Sequence, residues 1–531
     1  MSNKLVKESG NNKRADKNTE AYEIVRSMIE YIVAVIGIAI SLLVPLYLKD
    51  GYHSVGTVKY GVYQWTVIAG FGLLIVLTII LVLTAKSSES SKLCITDWCV
   101  TAFLILCITA SIAGGNFKEC FMGYDGWNMG LFSMFSFGLL YFYFSRFGKG
   151  NRVVLVVLCA SAMIAFSIGV LHRLLIDPIG TYEGIADYYK AQFLSTLGQA
   201  TWYSSFVCTV LPLGLGVFWS ARKRWIRIVS GIFAFTGFCT MVTQNSDSAY
   251  AALAGILLVF FWFSAVSAER MERFFEILVL FAGATRFMRL AFIVHPNPVL
   301  ELDAFSNFLV FHKLMWPVSL IIVFLWAFSL WCALKNHYCA GAVMIVRRVL
   351  FVCVVIAVLA LGVLLVMSAK GKLPESVAAV TAGVPYLTWS DNWGNGRGRT
   401  WAFSLQMFAD MDFVHKLFGV GPDGYAPYAY SLYQERLAQM WGDRTLTNAH
   451  NEWMNAAINY GLLGAAAYIG IFVSAVRSFA AKQENMPVLV GMIACIVSYM
   501  CHNFFCYQQV CCTPFLFMII GAGIYRIRKE K

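Results

Sequence analysis

Residues 348–368 read RVLFVCVVIAVLALGVLLVMS. From Val349 to Met367 the stretch holds no charge and no proline, and as a helix it suits the thickness of a ~30 Å hydrocarbon core. Lipid offers no partner to a backbone N–H or C=O, so such a run must satisfy its own polar groups by being helical. Similar runs lie to either side, at 27–48, 64–84, 96–114, 128–146, 152–171, 202–221, 226–243, 248–267, 275–294, 314–335, 452–476, 486–504 and 506–525. Composition agrees: 59% of the 531 residues are hydrophobic and 13% charged, with a mean hydropathy of +0.66, whereas a soluble domain carries about 25% charge. The expected fold class is an all-α polytopic membrane protein with about 14 transmembrane helices (12–14). The polar stretch that follows the quoted run is read as a large helical extracytoplasmic loop between spans 11 and 12.

Charge orients the chain. With the N-terminus inside, inner segments such as Arg222-Lys223-Arg224, Arg347-Arg348 and Arg526-Ile527-Arg528-Lys529 hold most of the 41 Lys and Arg. The positive-inside bias therefore places both termini in the cytoplasm and 369–451 outside a plasma membrane. The net charge of +12 follows from the same bias, so it points to an anionic inner leaflet and not to nucleic acid. The expected division is a disordered cytoplasmic tail (1–22), a bundle of spans 1–11 (23–368), the outer loop (369–451), spans 12–14 (452–526) and a cytoplasmic tail (527–531). No small-residue cleavage site follows the first apolar run, which reads as a retained span. The 15 Cys lie mostly within spans, without CxxC or metal-ligand spacing, and read as small apolar side chains.

An outer loop of this length in an otherwise apolar chain is where chemistry is expected. Within it, Thr400–Phe418 spaces Trp401, Leu405, Phe408, Phe413 and Leu417 along one helical face, and Gly419-Val420-Gly421-Pro422-Asp423-Gly424 ends that helix. Ser431–Trp441 reads as a second short helix. Two motifs stand out: Asn395-Gly396-Arg397-Gly398-Arg399-Thr400-Trp401 and Asn448-Ala449-His450-Asn451-Glu452. His450 falls in the first turn of span 12, where the helix dipole favours an anion and keeps imidazole neutral. A neutral His beside an anion site suits a general base next to a phosphate leaving group. Arg397 and Arg399 supply forked donors that match phosphate oxygens, and Gly394, Gly396 and Gly398 let a ligand approach the backbone.

The order Gly396-Arg397, Trp401, Gly419-Val420-Gly421-Pro422-Asp423-Gly424-Tyr425, His450-Asn451 and Tyr460-Gly461-Leu462-Leu463-Gly464 resembles the signature region of the O-antigen ligase and O-antigen polymerase superfamily. These are polytopic GT-C-type glycosyltransferases. The close resemblance covers about 390–470, with a looser one over about 195–525. It implies an inverting, metal-independent transfer of an undecaprenyl-diphosphate-linked glycan onto a glycan or glycolipid acceptor, without cofactor. Arg397 and His450 map on the family's loop Arg and loop His as the catalytic pair, the one holding the diphosphate and the other taking the acceptor proton. Arg399, Trp401, Asp423, Tyr425 and Asn451 complete the expected substrate-binding set. Trp389, Trp393, Tyr428, Tyr430 and Trp441 are further rings able to stack on sugars.

The chain departs from the family at one place. Where an upstream Arg is expected, it reads Gln244-Asn245-Ser246-Asp247-Ser248-Ala249-Tyr250, which leaves Arg173, Arg286 or Arg289 as substitutes and Asp247 as a helix N-cap. A second class, a lipid-linked oligosaccharide flippase or other transporter, fits the span number. It calls for ionisable groups near mid-membrane and for related halves, and no internal repeat is visible.

Overall fold

The computed structural model describes residues 2–84, 92–296, 302–384 and 386–530, with side chains from residue 19 on except that of residue 188. Most of the tail expected at 1–22 therefore has no described side chains; its backbone continues the first helix, Ser2–Leu46. All fourteen apolar runs lie on helices. Among the described residues, nine helices are long and apolar enough to cross a membrane, from Thr19–Leu46 to Glu452–Ala480. The other five runs lie on Leu131–Arg146, Arg224–Met241, Ser248–Ser264, Leu489–His502 and Thr513–Glu530, of 14 to 18 residues each. Among the described residues, strand is confined to one two-residue antiparallel pair, Phe193–Leu194 with Gly198–Gln199.

Burial divides the bundle. Helix Ala200–Ser220 has 83% of its apolar window buried, because it packs against Arg224–Met241 on one side and Leu489–His502 on the other. Ala340–Ala369, the helix that contains the quoted run, has no buried residue at all. It is held near its ends instead. Arg347 donates to the Trp262 carbonyl at 2.9 Å and lies 4.2 Å over that indole ring, and at the far end Ser368 Oγ accepts from Trp389 N at 2.9 Å. Apolar side chains facing hydrocarbon need no protein cover, so a helix of this composition is stable bare.

The segment 369–451 is helical, as expected, with different bounds. Its helices are Glu375–Thr381, Trp393–Asp410, Phe413–Phe418 and Tyr425–Trp441. The single helix expected over Thr400–Phe418 is two, because Asp412 leaves the first and caps the second through Val414 N and His415 N at 2.8 and 3.0 Å. That break resets the helical phase. Leu405 and Phe413, expected on one face with Trp401, are exposed while Trp401 is buried, and Phe403, Met407 and Met411 enter a small core with Val420, Tyr425, Ala429 and Leu437. The 15 cysteines are all free.

Candidate functional site

The Arg397 motif is a turn built from left-handed residues. Gly394, Asn395 and Gly396 have φ of 59°, 61° and 86°, which interrupts the helix Trp393–Asp410 and turns Arg397 back over the bundle. Its Nη1 donates to the Gly394 carbonyl at 2.7 Å and its Nε to the Phe505 carbonyl at 3.0 Å. Nη2 makes no hydrogen bond among the described residues and remains for a ligand.

His450 sits just before the helix Glu452–Ala480 rather than in its first turn, with Asn451 between as the N-cap. Its φ is +48°, a conformation held by its own N–H donating to Asn448 Oδ1 at 2.8 Å. The ring lies edge-on to Tyr507, 5.4 Å between centroids, and neither ring nitrogen makes a hydrogen bond among the described residues. Burial, and then the positive charge of Arg397, push its pKa down to about 4. Both effects favour the neutral imidazole, and burial and Arg397 rather than the helix dipole are their source. Arg397 and His450, 53 positions apart by their numbers, thus meet the same loop, one at Phe505 and the other at Tyr507.

The other expected residues take structural partners. Arg399 points away from Arg397: Nη1 donates to the Met440 carbonyl at 2.6 Å, and Nε pairs with Asp391 at 3.4 Å. Trp401 packs into a cluster with Trp389, Trp393, Phe504 and Phe505. Asn451 Oδ1 accepts from Trp453 N and Met454 N, both at 3.0 Å, and so starts the next membrane helix. Tyr425 is 1% exposed, bonded to Ser404 Oγ at 2.7 Å. Asp423 Oδ2 accepts from Tyr124 N and Met129 N, both at 2.9 Å, and burial raises its carboxyl to a pKa of about 6 against the pull of those bonds.

Asp247 occupies the N-cap position of its helix, but its side chain makes no cap bond and instead accepts from the Tyr386 hydroxyl. Of the upstream arginines, Arg173 is buried with Nε on the Thr243 carbonyl at 2.5 Å, while Arg286 and Arg289 bond the carbonyls of Leu309 and Phe311. The paired acids Asp410 and Asp412 are likewise engaged, by the Tyr433 hydroxyl at 2.9 Å and by the cap described above. Among the described residues, no three His, Cys, Asp or Glu side chains converge as metal ligands.

Sequence reasoning missed the polar wall beside this pair. Glu452 is fully enclosed, accepting from Tyr468 at 2.5 Å, Tyr499 at 3.0 Å and Asn503, and His502 bonds Ser204 and Ser248 at 2.9 and 3.1 Å. Asn459 and Gln508 are buried as well. Asn451, Asn455 and Asn459 recur every four residues at the start of an apolar helix, which is the signal that one of its faces meets something polar.

Two comparisons bear on this geometry. Residues 308–469 match the family described as O-antigen ligase, a segment that takes in both motifs. No curated protein matches the chain.

Proposed function

Because the chain carries an O-antigen ligase domain over 308–469, which supports its place in the O-antigen ligase and polymerase superfamily, we propose that it joins or polymerises an undecaprenyl-diphosphate-linked glycan onto an acceptor sugar at the outer face of the plasma membrane. The observation that carries the reading is the meeting of Arg397 and His450 at the 505–507 turn, where Arg397 Nη2 and the His450 ring nitrogens make no hydrogen bond among the described residues. The acceptor hydroxyl attacks the anomeric carbon, the bond from that carbon to the diphosphate oxygen breaks, and configuration inverts. His450 accepts the hydroxyl proton. The lipid diphosphate leaves with the bonding electrons, and the Arg397 fork offsets the charge that develops on it, a contact worth several kcal/mol in the transition state.

The donor and acceptor enter from the membrane and the outer face, with 369–451 extracytoplasmic and both termini inside. Buried charged residues on the membrane helices favour this reading over transport: Lys59, Asp97, Arg173, Glu272, Glu452 and His502 all stand within about a turn of a helix end, away from mid-membrane. The test is turnover of a lipid-diphosphate glycan by the purified protein. Transfer should persist in EDTA and disappear in Arg397→Ala and in His450→Ala while protein level holds. Full activity in His450→Ala, or a rate that collapses in chelator and returns with magnesium, would overturn the mechanism.

A further inference from the structure

A cavity of about 600 Å³ opens between residues 113–125 and 415–431, within the range of about 300–1,000 Å³ usual for ligand pockets. We propose that it seats the acceptor glycan, and that it takes neutral or amine-bearing sugars in preference to acidic ones; this rests on the transferase reading above. Tyr124 and Tyr428 line it, and tyrosine supplies an apolar ring face for a pyranose together with a polar hydroxyl. Glu119, Asp125 and Asp423 line it too, as acceptors for sugar hydroxyls, and no Lys or Arg does. His415, also at the wall, is already bonded to Asp412. The lining charge is therefore negative, and it opposes a uronate while favouring an ammonium.

Asp423 ties this cavity to His450. Its Oδ2 is held by two backbone N–H groups, whereas Oδ1 takes no hydrogen bond among the described residues. The same side chain lines a second, smaller pocket of about 10 Å³, room for about one water, together with Asn459, Tyr507 and Gln508. Asn459 is 2% exposed and Gln508 7%, and the Asn459 Oδ1 and Gln508 Nε2 atoms have no partner among the described residues. Two buried, unbonded polar atoms on one pocket call for a polar occupant. Tyr507 then carries the wall on to the His450 ring. The acceptor is thus placed on the Tyr507 side of the base, and the diphosphate on the Phe505 side with Arg397.

The experiment is saturation-transfer NMR on the full chain in detergent, without donor, using three probes: oligomers of N-acetylglucosamine, of glucosamine and of galacturonate. The first two should bind, and the third should bind at least about tenfold more weakly. Glu119→Lys with Asp125→Lys, both exposed positions, should reverse the order of glucosamine and galacturonate. Tyr428→Ala should weaken the neutral oligomer by about tenfold. In membrane vesicles the same variants should raise the acceptor KM and leave the donor KM unchanged. Galacturonate bound as tightly as glucosamine, no oligomer bound, or binding indifferent to these variants overturns the proposal. Those results leave the transferase standing if Arg397→Ala still abolishes transfer. Full transfer in Arg397→Ala removes the transferase reading whatever the sugars do.

Discussion

The segment 369–451 contains two glycine-rich turns of opposite character. At 394–397 the turn is open: a Cβ added to Gly396 meets no atom within 4 Å, and the turn is occupied by a charged side chain with a free nitrogen. At 417–424 the turn is closed. It interlocks with the kinked helix at Gly461, where an added Cβ would lie 2.3 Å from the Leu417 backbone. Both turns use positive φ, yet the first spends it on presenting a guanidinium and the second on letting two backbones touch. Similar sequence can therefore mean display or closure, and what decides is whether protein or solvent fills the space beside it.

The largest expected effect tests the display. Arg397→Lys should lower transfer about 10²–10³-fold, because a point charge cannot bond Phe505 and the diphosphate in one plane. Arg399→Ala, two residues on, should leave most of the rate, since its guanidinium is engaged by Met440 and Asp391. Comparable losses in the two variants would show that the open turn does not distinguish them. Next comes closure: Gly461→Ala should cost about 2–4 kcal/mol, read as a lower melting temperature and reduced protein level, through clash and a left-handed φ of +67°.

A pH profile sharpens the comparison further. With His450 at about 4 and neutral imidazole as the base, kcat at saturating acceptor should be flat through pH 6.5 and fall only as pH drops toward 4. Replacing Arg397 with Gln removes the second cause of the depression, so the acid limb of the residual activity should move upward. An acid limb at 6.5 in the wild type would mean that the ring is solvated. The smallest effect belongs to Gly396→Ala, about 1 kcal/mol from backbone strain alone at φ +86°, measured as a slight melting shift with protein level unchanged.

Much of this was legible. Apolar runs of span length have one solution in lipid, so all fourteen fall on helices, and a polar stretch among them had to be an elaborated loop. Arg397 and His450 stood out through the motif order that resembles the family, and the matched segment 308–469 contains both, while their roles belong to the proposal. The phase of the Trp393–Phe418 region was not, because one capping aspartate, Asp412, breaks the helix and no periodicity count carries across a break. Roles inside the segment were also hidden. Asn451 reads as a ligand but its oxygen serves backbone N–H groups, and Tyr425 reads as a sugar platform but lies in a core. The partners of His450 come from beyond residue 500, and no local pattern announces a contact at that separation.

The uncovered helix Ala340–Ala369 gives the Arg397 turn an unusual foundation. Its charge-free stretch, Val349 to Met367, rises about 29 Å and so matches the ~30 Å hydrocarbon core, which sets the depth of the helix in the membrane. Its contacts with the bundle are few, Phe351 on the Trp262 ring at 5.4 Å and Arg347 on the same residue, so lipid covers most of its flank. Its last turn holds Trp389, whose ring stacks 5.4 Å from Trp393, the residue that begins the turn bearing Arg397. On the mechanism proposed above, the bilayer then becomes a mechanical support of the Arg397 turn: a thicker or thinner membrane is expected to shift the arginine against His450, and acyl-chain length to act on the rate of transfer.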